Sequence, residues 1–241
     1  MSNIRNELLF SGDKSEIARM LESVINRKSQ TLNFNDILPV PSELVPIPAN
    51  LARVKIDCYL TAVNPKTAEC HREKLPADEY DRLFKLVTDY FDCNDGYCHH
   101  ITGKYIPPRA AFLDDGRKMV AFLQRYGVPH WYDWCRQNWG QSENPRISVC
   151  SDNRLIFDTD TAPSRKVVEK LAELYPSVEI RYRWASRGGR FAGTSTYENG
   201  NSISEQVFLP FSEVAMQMGN LLFPTVFRAN QNDDCEQPEP V

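Results

Sequence analysis

The side chains best suited to hold a metal sit in one run, Cys93-Asn-Asp-Gly-Tyr-Cys98-His99-His100, with Cys70-His71 upstream. Zinc takes thiolate and imidazole ligands in a tetrahedron, and this run offers four in eight residues. The Cys-x4-Cys-His-His spacing is not a standard zinc pattern, because adjacent histidines rarely ligate one ion. A polar loop is the plainer reading. No metal or cofactor is expected, and Cys93, Cys98, His99 and His100 stand as the candidates should an ion bind. Asp158-Thr-Asp160 carries carboxylates of the kind magnesium prefers. Acids just ahead of Pro163 equally complement the start of a helix, and that reading takes precedence.

Arginine chemistry gathers later in the chain. Arg181, Arg183, Arg187 and Arg190 lie on and around one expected hairpin, interleaved with Tyr182 and Trp184. Such a ridge tracks phosphates, and rings beside it stack bases. Alternation, however, puts Tyr182 and Trp184 on one strand face with Ile180, and both strand arginines on the other. The rings therefore read as core and the arginines as a solvated face. Trp131, Tyr132, Trp134 and Trp139 form a second cluster, either core anchors or a binding hot spot. Trp134 is assigned to the core, and Trp139, beside Gly140 at a helix end, to partial exposure. His130 and Cys135, five apart, make no nucleophile–base pair, and G-x-S-x-G, Walker A and G-x-G-x-x-G are absent. No catalytic residue is assigned. The binding candidates are Arg181, Arg183, Arg187, Arg190, Trp139 and Tyr132.

The elements that must carry these residues follow from periodicity. Residues 5–10 read as a strand, and Asp13 with Glu16 resembles a capping box before a helix whose buried stripe is Ile17, Met20, Leu21, Val24 and Ile25. Pro39, Pro41, Pro46 and Pro48 impose an extended connection. Leu75, Tyr80, Leu83, Phe84, Val87 and Phe91 mark a second helix. A third runs from about 114, with Asp114 as N-cap, to Gly127 as C-cap. Strands near 146–150 and 153–158 precede a helix that opens with Pro163 at its first turn and ends at Pro176. Three further strands, joined by Gly188-Gly189 and Asn199-Gly200 turns, make a meander. A last apolar stretch, Phe211 to Phe227, reads as a helix plus an extended segment. This order is α+β. Residues 1–228 are expected to form a single domain, with a helical or irregular insertion at about 50–140 and the sheet-rich part at about 145–210. Residues 229–241 are expected to be a disordered acidic tail.

Composition narrows the setting without naming a function. The chain has 241 residues, a formal net charge of −4 and 25% charged residues. That length buries roughly 72% of the unfolded chain's surface, enough for a core without staples. A mild negative charge gives no global pull towards nucleic acid or anionic lipid, so any such contact needs a local patch. No apolar run is long enough for a membrane helix, and the opening MSNIRNELLF lacks the apolar core of a signal peptide. Seven scattered cysteines do not make a disulfide framework. A cytoplasmic protein without membrane contact is expected.

Several segments together resemble one family. They are Asn6-Glu-Leu-Leu-Phe-Ser-Gly12, Phe34-x-x-Ile37-Leu-Pro-Val-Pro41, Tyr126-Gly-Val-Pro-His-Trp-Tyr-Asp-Trp134 continuing to Asn138-Trp-Gly140, Ile156-Phe157 with Pro163, and Phe191-Ala-Gly193. In order and spacing, up to about residue 200, they resemble the uncharacterised YubB-like proteins of phages, prophages and conjugative plasmids, relatives of a protein from a phage of an aphid endosymbiont. Two family positions differ: Gln141-Ser142-Glu143 stands where Thr-Lys-Trp is usual, and Thr159-Asp160-Thr161 where Thr-Ala-Trp is. The resemblance implies a ferredoxin-like antiparallel sheet with helices packed on one face, and a mobile-element origin. It implies no reaction and no catalytic residue. The expectation is a non-enzymatic accessory protein that binds a host protein, such as a defence component. The alternative is a nucleic-acid-binding protein using the arginine hairpin. A metal-dependent hydrolase at Cys93–His100 or at Asp158 and Asp160 stands third.

Overall fold

A computed structural model describes residues 3–45, 49, 51–63, 75–94 and 110–224. The chain opens with β1 (Ile4–Ser11) and α1 (Lys14–Val24). Asp13 caps α1 by accepting from the amides of Ser15 and Glu16, at 2.7 and 3.2 Å. Glu16 does not close the box; it pairs with Arg19. Ile17, Met20, Leu21 and Val24 form the buried stripe, as their spacing requires. A short hairpin, β2 (Ile25–Asn26) and β3 (Thr31–Leu32), and a single turn, α2 (Phe34–Ile37), follow.

The helical layer is α3 (Ala52–Val63), α4 (Ala77–Asn94) and α5 (Ala110–Tyr126); α6 (Trp131–Trp139) follows and packs into the core of the sheet sandwich through Trp134, Cys135 and Trp139. Two points of the sequence reading are corrected here. The sequence reading had no α3, because Lys55 sits inside its buried stripe of Ile56, Tyr59, Leu60 and Val63 and masks the period. Asp114 lies in the second turn of α5 rather than at its cap, and pairs with Arg117 and Lys118. Phe84 of α4 is half-exposed. Gly127 does terminate α5, its amide bonding to Leu123 at φ 72°.

The remaining elements are β4 (Ile147–Ser151), β5 (Arg154–Thr159), α7 (Arg165–Leu174), β6 (Glu179–Ser186), β7 (Ala192–Glu198), β8 (Asn201–Val207) and α8 (Glu213–Leu222). Pro163 precedes the Ser164 cap of α7 instead of sitting in its first turn. The sheet order is β4-β5-β1-β6-β7-β8, with every neighbouring pair antiparallel. Within it, β1–α1–(β4–β5)–α7–β6 is the split βαβ arrangement of a ferredoxin-like fold. The segment carrying α2 to α6 is inserted between α1 and β4, and β7–β8 extend one edge.

Register fixes the two faces. Leu8 lies opposite Leu155 and Tyr182, and Phe10 opposite Ile180, on the face covered by α1 and α7. The same face carries a buried polar group: Asn6 donates to the Ile4 carbonyl and the Thr159 hydroxyl, and accepts from Tyr182 (2.6 Å) and the Ser164 amide (3.2 Å). The other face carries Arg5, Glu7, Arg154, Asp158, Arg181 and Arg183. Only one end of it is covered, by α8 over Ala185 and Ala192, among the described residues. Gly140, at φ 85°, lets the chain turn against Ala162, whose carbonyl oxygen would lie 2.0 Å from any Cβ there. No helix among the described residues is long and apolar enough to cross a membrane.

Candidate interaction surface

The residues selected from sequence do not form one site. Trp139 is a core residue, 5% exposed, and this corrects the expectation of partial exposure. Its indole donates to the Leu38 carbonyl at 2.9 Å, and its ring meets Phe34 and Trp134 edge-on. Its own carbonyl accepts from the Ser164 hydroxyl, so the αL turn at Gly140 folds the helix end back onto α7. Tyr132, on the outer side of α6, is exposed and lies under the Arg136 guanidinium. It is far in topology from the arginine hairpin, which belongs to β6 and the β6–β7 turn.

That hairpin keeps the facing read from sequence. Ile180, Tyr182 and Trp184 are fully buried, and Arg181 and Arg183 point to the opposite face. The ridge is nevertheless not uniformly basic. Arg181 pairs with Glu179 at 2.8 Å, and Arg183 is drawn onto Glu7. Arg187 and Arg190, in the turn, have no carboxylate partner among the described residues; they lie over the rings of Phe223 and Phe191. Phe223 is held between Arg187 and Arg5, whose guanidinium sits 4.4 Å from its centroid.

Glu7 and Arg154 were missed in the sequence. Glu7 is 1% exposed and receives Arg154 (Nε at 2.8 Å, Nη2 at 2.6 Å) as well as Arg183. Sequence alternation alone gives a signal for it, because an acid in the middle of an apolar strand needs cationic partners.

The other chemical candidates separate. Asp158 is engaged by two Arg5 nitrogens, Nε at 2.9 Å and Nη2 at 3.1 Å, while Nη1 donates to the Leu222 carbonyl. It borders a polar cleft of about 410 Å³ with Asp160, Glu143 and Arg146. No group of three or more Cys, His, Asp or Glu side chains converges as a metal site among the described residues. The Cys93, Cys98, His99 and His100 side chains lie outside the described residues, as do Cys70 and His71.

A cluster outside the sequence reading lies where α6 begins. His130 caps α6 by accepting from the Asp133 amide through Nδ1 (3.4 Å), and its Nε2 faces the Asp133 carboxylate at 3.3 Å. Tyr90 of α4 donates to the same carboxylate. Burial pushes the imidazole pKa below its ordinary 6.5, with Lys55 adding to the depression and Asp133 opposing it. These bonds join the helical layer to the sandwich.

Exposed apolar side chains concentrate in one stretch of the chain. Of thirteen large hydrophobic side chains exposed among the described residues, seven fall between Ile203 and Leu221. In chain order they make a strip: Ile203 and Val207 lie on β8, an edge strand of the sheet, with Val207 on the α7 side; Leu209 and Phe211 follow in the turn, and Val214, Met216 and Leu221 lie on α8. Arg187 and Arg190 adjoin this strip, since the Gly189 turn packs against Met216.

No family model matches the chain, and a search of curated proteins finds no match. A similar solved structure is a crystal structure of protein Api92 from Yersinia pseudotuberculosis, of the family model DUF1281. It is 11% identical with a TM-score of 0.37, over 86% of this chain and 98% of that one. A likeness at that level carries no argument about function.

Proposed function

We propose that this chain is a non-enzymatic protein-binding module that grips its partner with the free edge of the sheet: β8, the turn after it and the outer side of α8. The observation that carries this reading is Phe211. Its φ of 61° puts a bulky residue in the left-handed region, where Cβ crowds the following carbonyl oxygen. Such strain costs about 1–3 kcal/mol, yet the side chain is 65% exposed and supports no core. Strain kept at an exposed ring points to a contact outside the fold. Leu209, 78% exposed, stands beside it. Apolar groups at the centre with Arg187 and Arg190 at the rim match the anatomy of protein interfaces. β8 also lacks the Lys or Pro that usually blunts an edge, and Glu205 is its one charge. The resemblance to the YubB-like proteins supports a bacterial host protein as the partner, a defence component among the natural targets of a mobile element.

The test is capture from a bacterial host lysate by the tagged full chain and its Phe211→Gly variant, with nuclease present. Glycine relieves the φ strain and removes the ring. A stoichiometric protein partner held by the parent and lost by the variant is expected. Equal retention by both, or no specific retention, overturns the reading. Nucleic-acid binding is the second reading, favoured by Arg187 and Arg190 having no carboxylate partner among the described residues. It requires nuclease-sensitive capture and a log affinity that falls linearly with log salt.

A further inference from the structure

The sheet face left open among the described residues carries a second feature, built around a buried charge. Glu7 sits mid-strand in β1, opposite Arg183 of β6, with Arg154 reaching it from β5. Each guanidinium turns its Nε–Nη2 edge inward: Arg154 to one carboxylate oxygen and Arg183 to the other. Neither Nη1 has an acceptor among the described residues. The two arginines stay partly in solvent, with side chains 45% and 32% exposed.

Burying a carboxylate this completely is a poor way to gain stability, because apolar residues of similar size do as well or better. What the arrangement provides is aim. A guanidinium has five N–H groups in a fixed fork. With the Nε–Nη2 edge committed to Glu7, the Nη1 end is left to receive a second carboxylate end-on. The neighbouring charges on this face cancel in pairs, Arg5 with Asp158 and Arg181 with Glu179. The Arg154–Glu7–Arg183 group therefore keeps one positive charge in excess, on a chain whose formal net charge is −4. Nucleic acid is the poorer match, because the β6 rings that would stack bases, Tyr182 and Trp184, are buried on the opposite face.

We propose that Arg154 and Arg183, aimed by Glu7 as a positioning residue, receive the carboxylates of an acidic polypeptide segment laid across the open sheet face. This rests on the protein-binding reading and assigns it a second surface with a stated chemistry.

The experiment is fluorescence anisotropy of the full chain with a short fluorescein-labelled oligoglutamate peptide, run beside an oligothymidylate of the same length. Saturable peptide binding is expected, weakened roughly tenfold by Arg154→Gln or Arg183→Gln. Arg154→Lys and Arg183→Lys keep the charge and spare the fold, and are expected to weaken binding as well, because the fork is lost. Glu7→Gln makes the face one charge more positive. A mere field would then bind the peptide more tightly, whereas the positioning role predicts roughly tenfold weaker binding. No saturable binding, unchanged affinity in the arginine variants, tighter binding by Glu7→Gln, or preference for the oligothymidylate overturns the proposal. Phe211→Gly should leave peptide affinity unchanged while abolishing partner capture, so the two readings fail separately.

Discussion

At the scale of single residues, the structure separates polar groups that hold the fold from those that face outward. Asn6 belongs to the first kind. All of its hydrogen-bonding capacity is used beneath the sheet, and it is fully buried. Asn6→Ala leaves the Tyr182 hydroxyl and the Ser164 amide without their acceptor, and should cost about 3 kcal/mol in chemical denaturation. Tyr182→Phe removes one donor and strands nothing; about 1 kcal/mol is expected. Equal effects would mean that the network is not a unit. The thiols divide in the same way. Burial pushes the Cys135 pKa up to about 12; partial burial also pushes the Cys150 pKa up, but that residue is exposed on β4. Iodoacetamide at neutral pH should therefore label Cys150 in the native protein and spare Cys135 until it unfolds, as peptide mapping would show. Neither role was visible beforehand, since an Asn in a strand and a lone Cys carry no pattern of their own.

At the scale of elements, period and punctuation did most of the work where a stripe is purely apolar. β1, α1, the β4–β5 hairpin, α7 and the meander all stand where alternation and turn residues put them. The failures share a cause. α3 was hidden by Lys55, whose charge is satisfied inside the layer by Asp115 at 2.9 Å. Trp139 was misplaced because its burial depends on Phe34 and Leu38, roughly a hundred residues earlier in the chain. Glu7 was missed because its partners come from two other strands. Local sequence shows that an acid such as Glu7 needs partners, but not which distant residues supply them. The α3–α5 crossing is also of this kind: a Cβ at Gly116 would lie 2.2 Å from the Lys55 carbonyl oxygen. Gly116→Ala should push the helices apart, at a cost of about 1–3 kcal/mol in thermal or chemical denaturation. An unchanged midpoint would show that the crossing relaxes freely.

At the scale of the whole molecule, the described residues hold two large apolar cores and a small third one under α8. The first large core lies between the sheet and α1 with α7, and the second inside α3, α4 and α5. Tyr90 and Phe122 touch both, and the Tyr90–Asp133–His130 chain ties α4 to the start of α6. That seam is where pH should act. His130 accepts the Asp133 amide at Nδ1, so its proton sits on Nε2, and full protonation would turn the capping acceptor into a donor. Its folded-state pKa is depressed below the ordinary 6.5. The folded state therefore prefers neutral imidazole: its contribution is complete above 6.5 and is lost as pH falls from there through the folded value. His130→Asn keeps a capping acceptor and removes the titration. Between pH 8 and pH 5 the wild-type urea midpoint should fall relative to the variant's, while all other titrating groups cancel in the difference. The seam should also open before the rest. Native-state hydrogen exchange should report α3–α5 amides exchanging through a subglobal opening that becomes easier as pH drops, while β1, β5 and β6 exchange only on global unfolding. A single opening free energy across both cores, with no pH dependence removed by His130→Asn, would show instead that the helical layer and the sandwich unfold as one body.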